Sequence, residues 1–317
     1  MVISCRAPVR IDFAGAWTDV PFFSDAFGGA TLNAAIDLHV TGRLEAHDDS
    51  ANGFMPAKRI VSGPSGKYAL PDGPALGVSY GSDIPAGSGL GTSATLNVVW
   101  LALARRDQIA SAEDRMRIAE LAFDIEKTLG IIGGKQDQYA AAVGGINLFE
   151  FGADGVSRLP VELSPARIED LQSLIVLCYT GKARLSSNIH RNVWGNFRAG
   201  KEETLRALFD LRDSAYAARQ ALLDWDLEAF ARVVTSQRHH MKHLDESTSN
   251  AQIEELFELA APDVMGGKPS GAGGGGCVFF IARSSKSKER LKENLRRQNL
   301  TAMDVKFDFD GLVLTTA

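Results

Sequence analysis

The sequence predicts an α+β protein, and three observations support that fold class. The first segment, Arg6 to Gly15, alternates apolar and polar residues as a strand does. Helical patterns follow later without the regular strand–helix–strand repeat of a parallel sheet. A chain of 317 residues with 45% hydrophobic composition can bury a core large enough for two lobes or one large domain. We expect a lobe boundary between residues 155 and 170, so that residues 1–160 form one lobe and 161–317 the other.

The first strand carries two charged residues on one side. Val9, Ile11 and Phe13 point one way, so Arg10 and Asp12 share the opposite face. An ion pair across that face is the alternative to a functional role for these two side chains.

The first half then continues with strands, helices and a hairpin. A second strand is predicted over Ile36–Glu45, and two helical patterns cover residues 94–106 and 111–130. Gly130 is placed to end the second helix as its C′ glycine. A hairpin is expected around Ala153–Gly155.

The second half begins with a buried strand and continues mostly as helix. The predicted elements are a strand within 171–181, helices over 201–260 broken near 243–250, strands at 276–283 and 302–311, and a helix over 286–298. This order again mixes helices and strands irregularly.

Composition favours small-molecule chemistry in the cytoplasm. The formal net charge is −5 and the basic residues are scattered, so we expect neither a nucleic-acid nor an anionic-membrane partner. The chain opens without a secretory signal pattern, and no apolar run reaches 18 residues. A soluble intracellular protein is therefore expected.

Cysteines and histidines give little sign of a metal centre. Cys5, Cys178 and Cys277 lie far apart without ligand spacing, which predicts reduced thiols in a cytoplasmic compartment. His239 and His243 are four residues apart on a predicted helix and could bind a metal. No third ligand is evident, so a polar helix surface is the favoured interpretation.

Three glycine-rich stretches are the strongest functional signal: Pro85–Ala94, Gly130–Gln138 and Gly266–Gly276. They match neither the P-loop pattern nor the dinucleotide fingerprint. A helix beginning directly after Gly91 would leave N–H groups and a positive dipole end facing the loop, which suits an anion such as phosphate. Thr92 or Ser93 could cap this helix or bind a metal. Glycines needed only for tight packing are the alternative.

Two carboxylates accompany the second glycine stretch. Glu126 lies on a mostly apolar helix face, where it needs a partner. Asp137 follows eleven residues later, beyond a glycine turn. One carboxylate could bind Mg²⁺ while the other orients or deprotonates a hydroxyl. A surface salt bridge for Glu126 and a helix cap for Asp137 are the simpler alternatives.

Together these stretches resemble the galactokinase, homoserine kinase, mevalonate kinase and phosphomevalonate kinase (GHMP) superfamily. "PAGSGLGTSA" resembles its phosphate loop, "RAPVRIDFAGAWTDV" its N-terminal substrate motif and "KPSGAGGGGCVFF" its C-terminal glycine motif. The resemblance covers essentially the whole chain. It implies a two-lobed GHMP kinase fold, with an N-terminal lobe like that of ribosomal protein S5, a ferredoxin-like C-terminal lobe, and ATP and Mg²⁺ as cofactors.

The resemblance also implies roles for individual residues. The ATP phosphates would contact the loop residues Pro85, Ala86, Gly87, Ser88, Gly89, Leu90, Gly91, Thr92 and Ser93. Thr92 and Glu126 would bind Mg²⁺, Asp137 would take the proton of the acceptor hydroxyl, and Arg10 would neutralise charge. The substrate would contact Asp19, Thr18, Gly29, Gln138, Lys182, Arg184 and Gly273.

Within the superfamily, "GGATLNAAI", "GGKQDQYAAAVGGINLFEF" and "YTGKARLSS" are most similar to the D-glycero-D-manno-heptose 7-phosphate kinases. This implies a small-molecule sugar phosphate as partner, phosphorylated at its anomeric hydroxyl, and is compatible with a homodimer.

The L-fucokinases are the nearest alternative, since their first motif is also similar to "PVRIDFAGAWTDVP". The heptose kinases usually carry more glycine where this chain has Ala16 and Trp17. An inactive binding protein and a decarboxylase on the same scaffold are further alternatives, which Glu126, Asp137 and the sugar-kinase-like segments disfavour.

Overall fold

The computed structural model describes residues 2–47, 60–63, 66–69, 75–85, 87–105, 109–181 and 187–316. Its strands are β1 (Val2–Ala14), β2 (Gly29–His47), β3 (Ile60–Gly63), β4 (Gly66–Ala69), β5 (Ala75–Ser82), β6 (Ile146–Gly152), β7 (Gly155–Pro160), β8 (Ile175–Tyr179), β9 (Val264–Pro269), β10 (Cys277–Ala282), β11 (Thr301–Met303) and β12 (Val313–Thr316).

The helices are α1 (Pro21–Phe27), α2 (Thr92–Arg105), α3 (Ala112–Thr128), α4 (Gln136–Val143), α5 (Pro165–Leu174), α6 (Ser187–Arg198), α7 (Glu202–Asp224), α8 (Leu227–Leu244), α9 (Ala251–Ala260) and α10 (Ser285–Arg297). The irregular mixture of strands and helices confirms the predicted α+β class. Within the described ranges, none of these helices is both long and apolar enough to cross a bilayer.

The larger sheet has the order β12–β1–β2–β6–β7, and β5 pairs with the far half of β2. All of these pairings are antiparallel. The predicted strand over Ile36–Glu45 lies inside the longer β2, and the hairpin at Ala153–Gly155 joins β6 to β7. Because β12 pairs with β1, the last strand described returns to the first sheet. The lobe boundary near residue 160 stays a prediction.

Strand β1 is buried on both faces over its second half. Val9, Ile11 and Phe13 contribute to the core, as their alternation predicts, and Arg10 and Asp12 are buried on the other face. Irregularities in the pairing with β2 fall at Pro8/Val9 and Asp12/Ala14. Such irregularities re-aim side chains, so they bracket the segment that presents Arg10 and Asp12.

The second sheet has the order β11–β8–β10–β9, and β10 is buried throughout. The predicted strand over 302–311 is wrong for most of its length, since β11 ends at Met303. Asp304 accepts a hydrogen bond from Lys292, and Asp308 accepts one from the N–H of Gly311. Residues 306–308 leave the second sheet because their backbone hydrogen-bonds to β2 of the larger sheet, through a bridge between Ile36 and Phe307.

Local signals placed the helices around the glycine stretches correctly. Helix α2 begins at Thr92, directly after Gly91, as predicted. Ser111 and Asp114 form a capping box at the start of α3. Gly130 lies just beyond the end of α3 with φ +73°, the conformation that a C′ glycine supplies.

Candidate active site

The three glycine-rich stretches meet at one cavity of about 260 Å³. Its walls come from β1 and the turn after it, the loop before α2, the loop before α4, helix α6 and the loop after β9. The charged side chains among the described lining residues are Arg10, Asp19, Glu126 and Asp137. The cavity therefore gathers residues that are far apart in the sequence.

The loop before α2 needs glycine at several positions. Gly87, Gly89 and Gly91 have φ of +76°, +79° and +81°, which disfavours any residue with a Cβ. A Cβ on Gly89 would lie 2.6 Å from the Ser270 carbonyl oxygen, and one on Gly91 would lie 2.9 Å from Asp137 Cγ. The glycines thus allow close packing, and the N-terminus of α2 is also accessible, so both features considered for this loop are present.

Most of the loop residues predicted to bind phosphate line the cavity: Gly87, Ser88, Gly89, Gly91, Thr92 and Ser93. Leu90 is instead buried in the core, and Pro85 lies outside the cavity wall. Ala86 lies outside the described residues. The Ser88 and Thr92 hydroxyls are 3.1 Å apart, which places two oxygens at the start of α2.

Arg10 and Asp137 form a charge-assisted contact at the centre of the cavity. Arg10 Nε donates to Asp137 Oδ1 over 2.7 Å, and a terminal nitrogen of the same guanidinium lies 2.5 Å from that oxygen. Arg10 also donates to the Gly89 carbonyl over 2.7 Å. Burial raises the pKa of Asp137, Arg10 opposes that rise, and the Asp12 carboxylate adds to it. Arg10 thus joins the phosphate loop to Asp137.

Asp12 pairs chiefly with a residue that the sequence analysis missed. Its carboxylate accepts hydrogen bonds from the Lys268 ammonium, from Ser270 Oγ at 3.0 Å and from the Gly271 N–H at 2.9 Å. Arg10 is more distant, at 3.7 Å. The Arg10–Asp12 ion pair considered as an alternative is therefore secondary. Lys268 is fully buried, and its place in the apolar stretch before "PSGAGGGG" is the only sequence signal for this contact.

Glu126 is held by two side-chain amides. Asn97 Nδ2 donates to Oε1 over 2.8 Å, and Gln138 Nε2 donates to Oε2 over 2.9 Å. Glu126 is only 6% exposed, so the surface salt bridge considered for it is excluded. Burial, with a contribution from Asp137, raises the pKa of Glu126 to about 7. Its carboxylate has no cationic partner among the described side chains.

Asp19 also lines the cavity. It is 2% exposed and accepts a hydrogen bond from the Gln136 N–H over 2.9 Å. Burial raises its pKa to about 6. The side chain packs so closely on Gly134 that a Cβ there would lie 1.9 Å from Asp19 Oδ2. Asp19 is thus fixed against the loop that leads into α4.

The other predicted substrate contacts fall into three groups. Thr18 and Gly29 do not line the cavity. The Thr18 hydroxyl lies within hydrogen-bonding distance of the carbonyl oxygens of Gly15, at 2.8 Å, and Ala30, at 3.0 Å. Gln138 and Gly273 line the cavity, although the amide nitrogen of Gln138 is already bound to Glu126. Lys182 and Arg184 lie outside the described residues.

The described residues contain no group of three or more His, Cys, Asp or Glu side chains arranged to hold a metal. His243 contacts Glu203 instead, at 2.5 Å, as expected for a polar helix surface. The oxygens near the cavity nevertheless form a donor set suited to Mg²⁺: the Glu126 carboxylate, the Thr92 hydroxyl and the unpaired Gln138 Oε1. A hard oxygen-binding cation fits these residues.

Comparison with known proteins gives the same family from domain models and from a relative that matches almost the whole chain. Residues 62–145 match the GHMP kinases N terminal domain, and residues 208–300 match the GHMP kinases C terminal domain. The chain is 30% identical to a D-glycero-alpha-D-manno-heptose 7-phosphate kinase of Campylobacter jejuni, over 98% of each protein.

Two further relatives are informative. The chain is 28% identical to an L-fucokinase/L-fucose-1-P guanylyltransferase of Bacteroides fragilis, over 92% of this chain and 35% of that protein. A crystal structure of a D-glycero-D-manno-heptose 1-phosphate kinase from Bacteroides thetaiotaomicron superposes with a TM-score of 0.72, at 27% identity over 99% of both chains.

These matches define an ATP-dependent phosphotransferase. The chain belongs to the GHMP kinase family. The fold that the resemblance implied is therefore confirmed.

Proposed function

We propose that this protein transfers the γ-phosphoryl group of ATP to the anomeric hydroxyl of D-glycero-D-manno-heptose 7-phosphate, giving the 1,7-bisphosphate. The observation that carries the proposal is the position of Asp137. Its carboxylate packs against Gly91 of the phosphate loop and faces the cavity that Asp19 also lines. A hydroxyl bound there would lie between a carboxylate base and the phosphate loop.

The loop before α2 would bind the ATP phosphates. The N–H groups at the start of α2 and in the Gly87–Gly91 loop would donate to phosphate oxygens, aided by the helix dipole. The glycine run 271–276 approaches the same loop, since a Cβ on Gly276 would lie 2.4 Å from the Ser88 carbonyl oxygen. The two loops together would enclose the phosphates and exclude water.

Asp137 would act as the general base. Its carboxylate takes the proton of the acceptor hydroxyl as the hydroxyl oxygen attacks the γ-phosphorus, and the bond from that phosphorus to the β-phosphate bridging oxygen breaks to release ADP. Arg10 keeps Asp137 in place through two contacts. Arg10 also offers positive charge close to the loop where negative charge is concentrated.

Glu126 and Thr92 would hold Mg²⁺. When bound, this ion neutralises charge on the phosphates of ATP. Asn97 and Gln138 orient the Glu126 carboxylate in advance, because each donates to a different oxygen.

The sugar itself is proposed from the relatives and from one feature of the fold. The Campylobacter relative is named for a heptose 7-phosphate, and that relation covers almost the whole length of both chains. His190 of α6 lines the cavity, so the start of α6 lies close to it. Residues 182–186 directly precede that helix and include Lys182 and Arg184. We propose these two as the contacts of the distal phosphate.

An unphosphorylated sugar is the second candidate substrate. The fucokinase relative and the aromatic side chain of Trp17 in the cavity wall favour it. In that case phosphorylation would still occur at an anomeric hydroxyl, with the same roles for Asp137 and Glu126.

The deciding experiment compares kcat/KM for heptose 7-phosphate, L-fucose and free hexoses with Mg-ATP, scored by ADP release. A charge-assisted phosphate contact contributes roughly 1.5 to 3 kcal/mol, so Arg184→Ala should lower kcat/KM for the phosphorylated sugar about 10- to 150-fold. Lys182→Ala should act in the same direction, and Lys286→Ala on the exposed start of α10 is the matched control.

The control variant should behave as wild type on all substrates. A wild-type preference for L-fucose or another free sugar would replace the heptose proposal with the fucokinase-like one. Equal losses on phosphorylated and free sugars would remove Lys182 and Arg184 from the distal phosphate site.

A further inference from the structure

The turn after β1 holds a tryptophan in a conformation that glycine favours. Trp17 has φ +84°, is 3% exposed and lines the cavity. A bulky residue at positive φ is strained, and such strain concentrates at ligand-binding sites. The turn is held by the Thr18 N–H and hydroxyl, both donating to the Gly15 carbonyl.

Trp17 is paired with His190 of α6. The two rings have centroids 4.5 Å apart at an interplanar angle of 39°, and both line the cavity. Trp194 packs behind them, with its ring 6.2 Å from that of Trp17. Two distant segments thus form one aromatic wall, which we call the Trp17–His190 wall.

The hydrogen bonding of His190 fixes the position of its proton. An indole N–H only donates, and Trp194 Nε1 donates to His190 Nδ1 over 3.4 Å. Nδ1 is therefore the acceptor, and the proton of the neutral ring is on Nε2. Burial lowers the pKa of His190 to about 4, so the ring is neutral near pH 7. The wall is then uncharged, with one ring N–H not used by Trp194.

The charges of the cavity lie on other parts of its lining. Asp19 contacts the loop before α4, Arg10 and Asp137 contact the phosphate loop, and Glu126 contacts α2 and α4. A sugar oriented by these groups would turn an uncharged part of its ring toward the Trp17–His190 wall. Aromatic rings pack well on such apolar carbon surfaces.

We propose that the Trp17–His190 wall determines which acceptor sugar is bound, a role that rests on the sugar-kinase function proposed above. Trp17 packs against the carbon-bound hydrogens of the sugar ring, and His190 Nε2–H donates to one of its hydroxyl groups. The ligand class is a neutral pyranose face.

The test is equilibrium binding by calorimetry, without turnover, of L-fucose, D-mannose and D-glycero-D-manno-heptose 7-phosphate to wild type, Trp17→Gly and His190→Phe. Glycine suits φ +84°, so Trp17→Gly removes the ring without backbone strain. For the sugar that wild type binds best, we expect Trp17→Gly to raise Kd roughly 10-fold or more. His190→Phe keeps an aromatic ring and loses both the proposed hydrogen bond to the sugar and the acceptor of the Trp194 N–H, so a rise of roughly 3- to 10-fold in the sugar Kd is expected.

The Kd of ATP, measured in the same samples, should stay within about twofold of wild type, because the ring contacts and hydrogen bond described for Trp17 and His190 do not involve the described residues of the phosphate loop. Trp17 also packs in a core cluster with Phe23 and Trp194, so unfolding of Trp17→Gly is checked by circular dichroism. His190→Phe retains the packing and decides the matter if Trp17→Gly does not fold. The proposed role of the Trp17–His190 wall is contradicted if the sugar Kd values are unchanged, or if the affinities for sugar and for ATP fall equally. If wild type binds none of the three sugars, both the proposed role of the wall and the proposed sugar-kinase function are contradicted.

Discussion

Arg10 Nε lies 2.7 Å from Asp137 Oδ1, and this contact joins residues that are 127 positions apart in the sequence. The same guanidinium donates to the Gly89 carbonyl. One side chain on β1 therefore holds both the first turn of α4 and the loop before α2. Arg10 thus links the proposed base to the phosphate loop, in addition to the direct packing of Asp137 on Gly91.

Asp137→Asn is expected to lower turnover while leaving ATP binding nearly unchanged. The amide keeps an oxygen for Arg10 but cannot take a proton. The loss of a general base lowers kcat by roughly 10²- to 10⁴-fold. The measurements are kcat by ADP release and the Kd of ATP by calorimetry. Asp154→Asn, in the exposed β6–β7 turn, is the matched control. Near-wild-type turnover of Asp137→Asn would mean that positioning alone carries the reaction.

Glu126→Gln is expected to change the Mg²⁺ requirement rather than the proton transfer. The variant retains the size of the side chain and loses the negative charge that attracts the cation. Activity should fall at low Mg²⁺ and recover in part at high Mg²⁺. The measurement is kcat/KM for the sugar, taken across a Mg²⁺ titration at saturating ATP. An identical Mg²⁺ dependence in wild type and variant would remove Glu126 from the metal site.

Local sequence signals predicted the parts of the site that depend on neighbouring residues. The helix start at Thr92 follows from Gly91, and the end of α3 follows from Gly130, because glycine conformation acts over one or two residues. The apolar face around Glu126 also predicted that its carboxylate needs partners. Those partners, Asn97 and Gln138, did not follow from periodicity because they lie on two other helices.

The long-range side-chain contacts could not be predicted in the same way. Lys268 and Asp12 are 256 residues apart, and only the folded structure, in which the Lys268 ammonium reaches Asp12, reveals their pairing. Likewise, the sequence shows Trp17 and His190 as isolated aromatic residues, since α6 brings His190 to the turn after β1 only in the folded chain. Tertiary packing, rather than propensity, decides such contacts.

The contributions of Glu126 and Asp19 to the stability of the ligand-free protein should fall as pH rises from about 4 to 8, whereas His190, whose pKa is lowered to about 4, contributes in the opposite direction below about pH 6.5. The folded-state pKa values of Glu126 and Asp19 are raised to about 7 and about 6, from ordinary values of 4.5 and 3.8. The folded state therefore binds these protons more tightly than the unfolded state. The resulting stabilisation is complete below the unfolded pKa values and is lost as pH passes the folded ones, by up to about 3 kcal/mol per group.

Thermal unfolding of the ligand-free protein between pH 5.5 and 8.5 measures this effect. Wild type should lose several degrees of Tm across the range, and Glu126→Gln should lose less because one of the two groups no longer titrates. Mg-ATP should stabilise wild type more at pH 8 than at pH 6, since protons compete with the cation for Glu126. Equal slopes for wild type and Glu126→Gln would contradict the raised pKa of Glu126.

Lys268→Met is expected to destabilise the fold strongly, because it leaves the Asp12 carboxylate buried without its nearest cation. Both side chains are fully buried, and removing one partner of such a pair costs roughly 3–5 kcal/mol. Adding Asp12→Asn should recover part of that loss, since the double variant buries no uncompensated charge at this position, and the coupling should be roughly 0.5–3 kcal/mol. Urea unfolding of wild type, both single variants and the double variant gives the coupling directly.

Lys286→Met on the exposed start of α10 should stay within about 0.5 kcal/mol of wild type. Strictly additive effects of the two buried substitutions would show that Asp12 is stabilised mainly by Arg10, Ser270 and the Gly271 N–H instead.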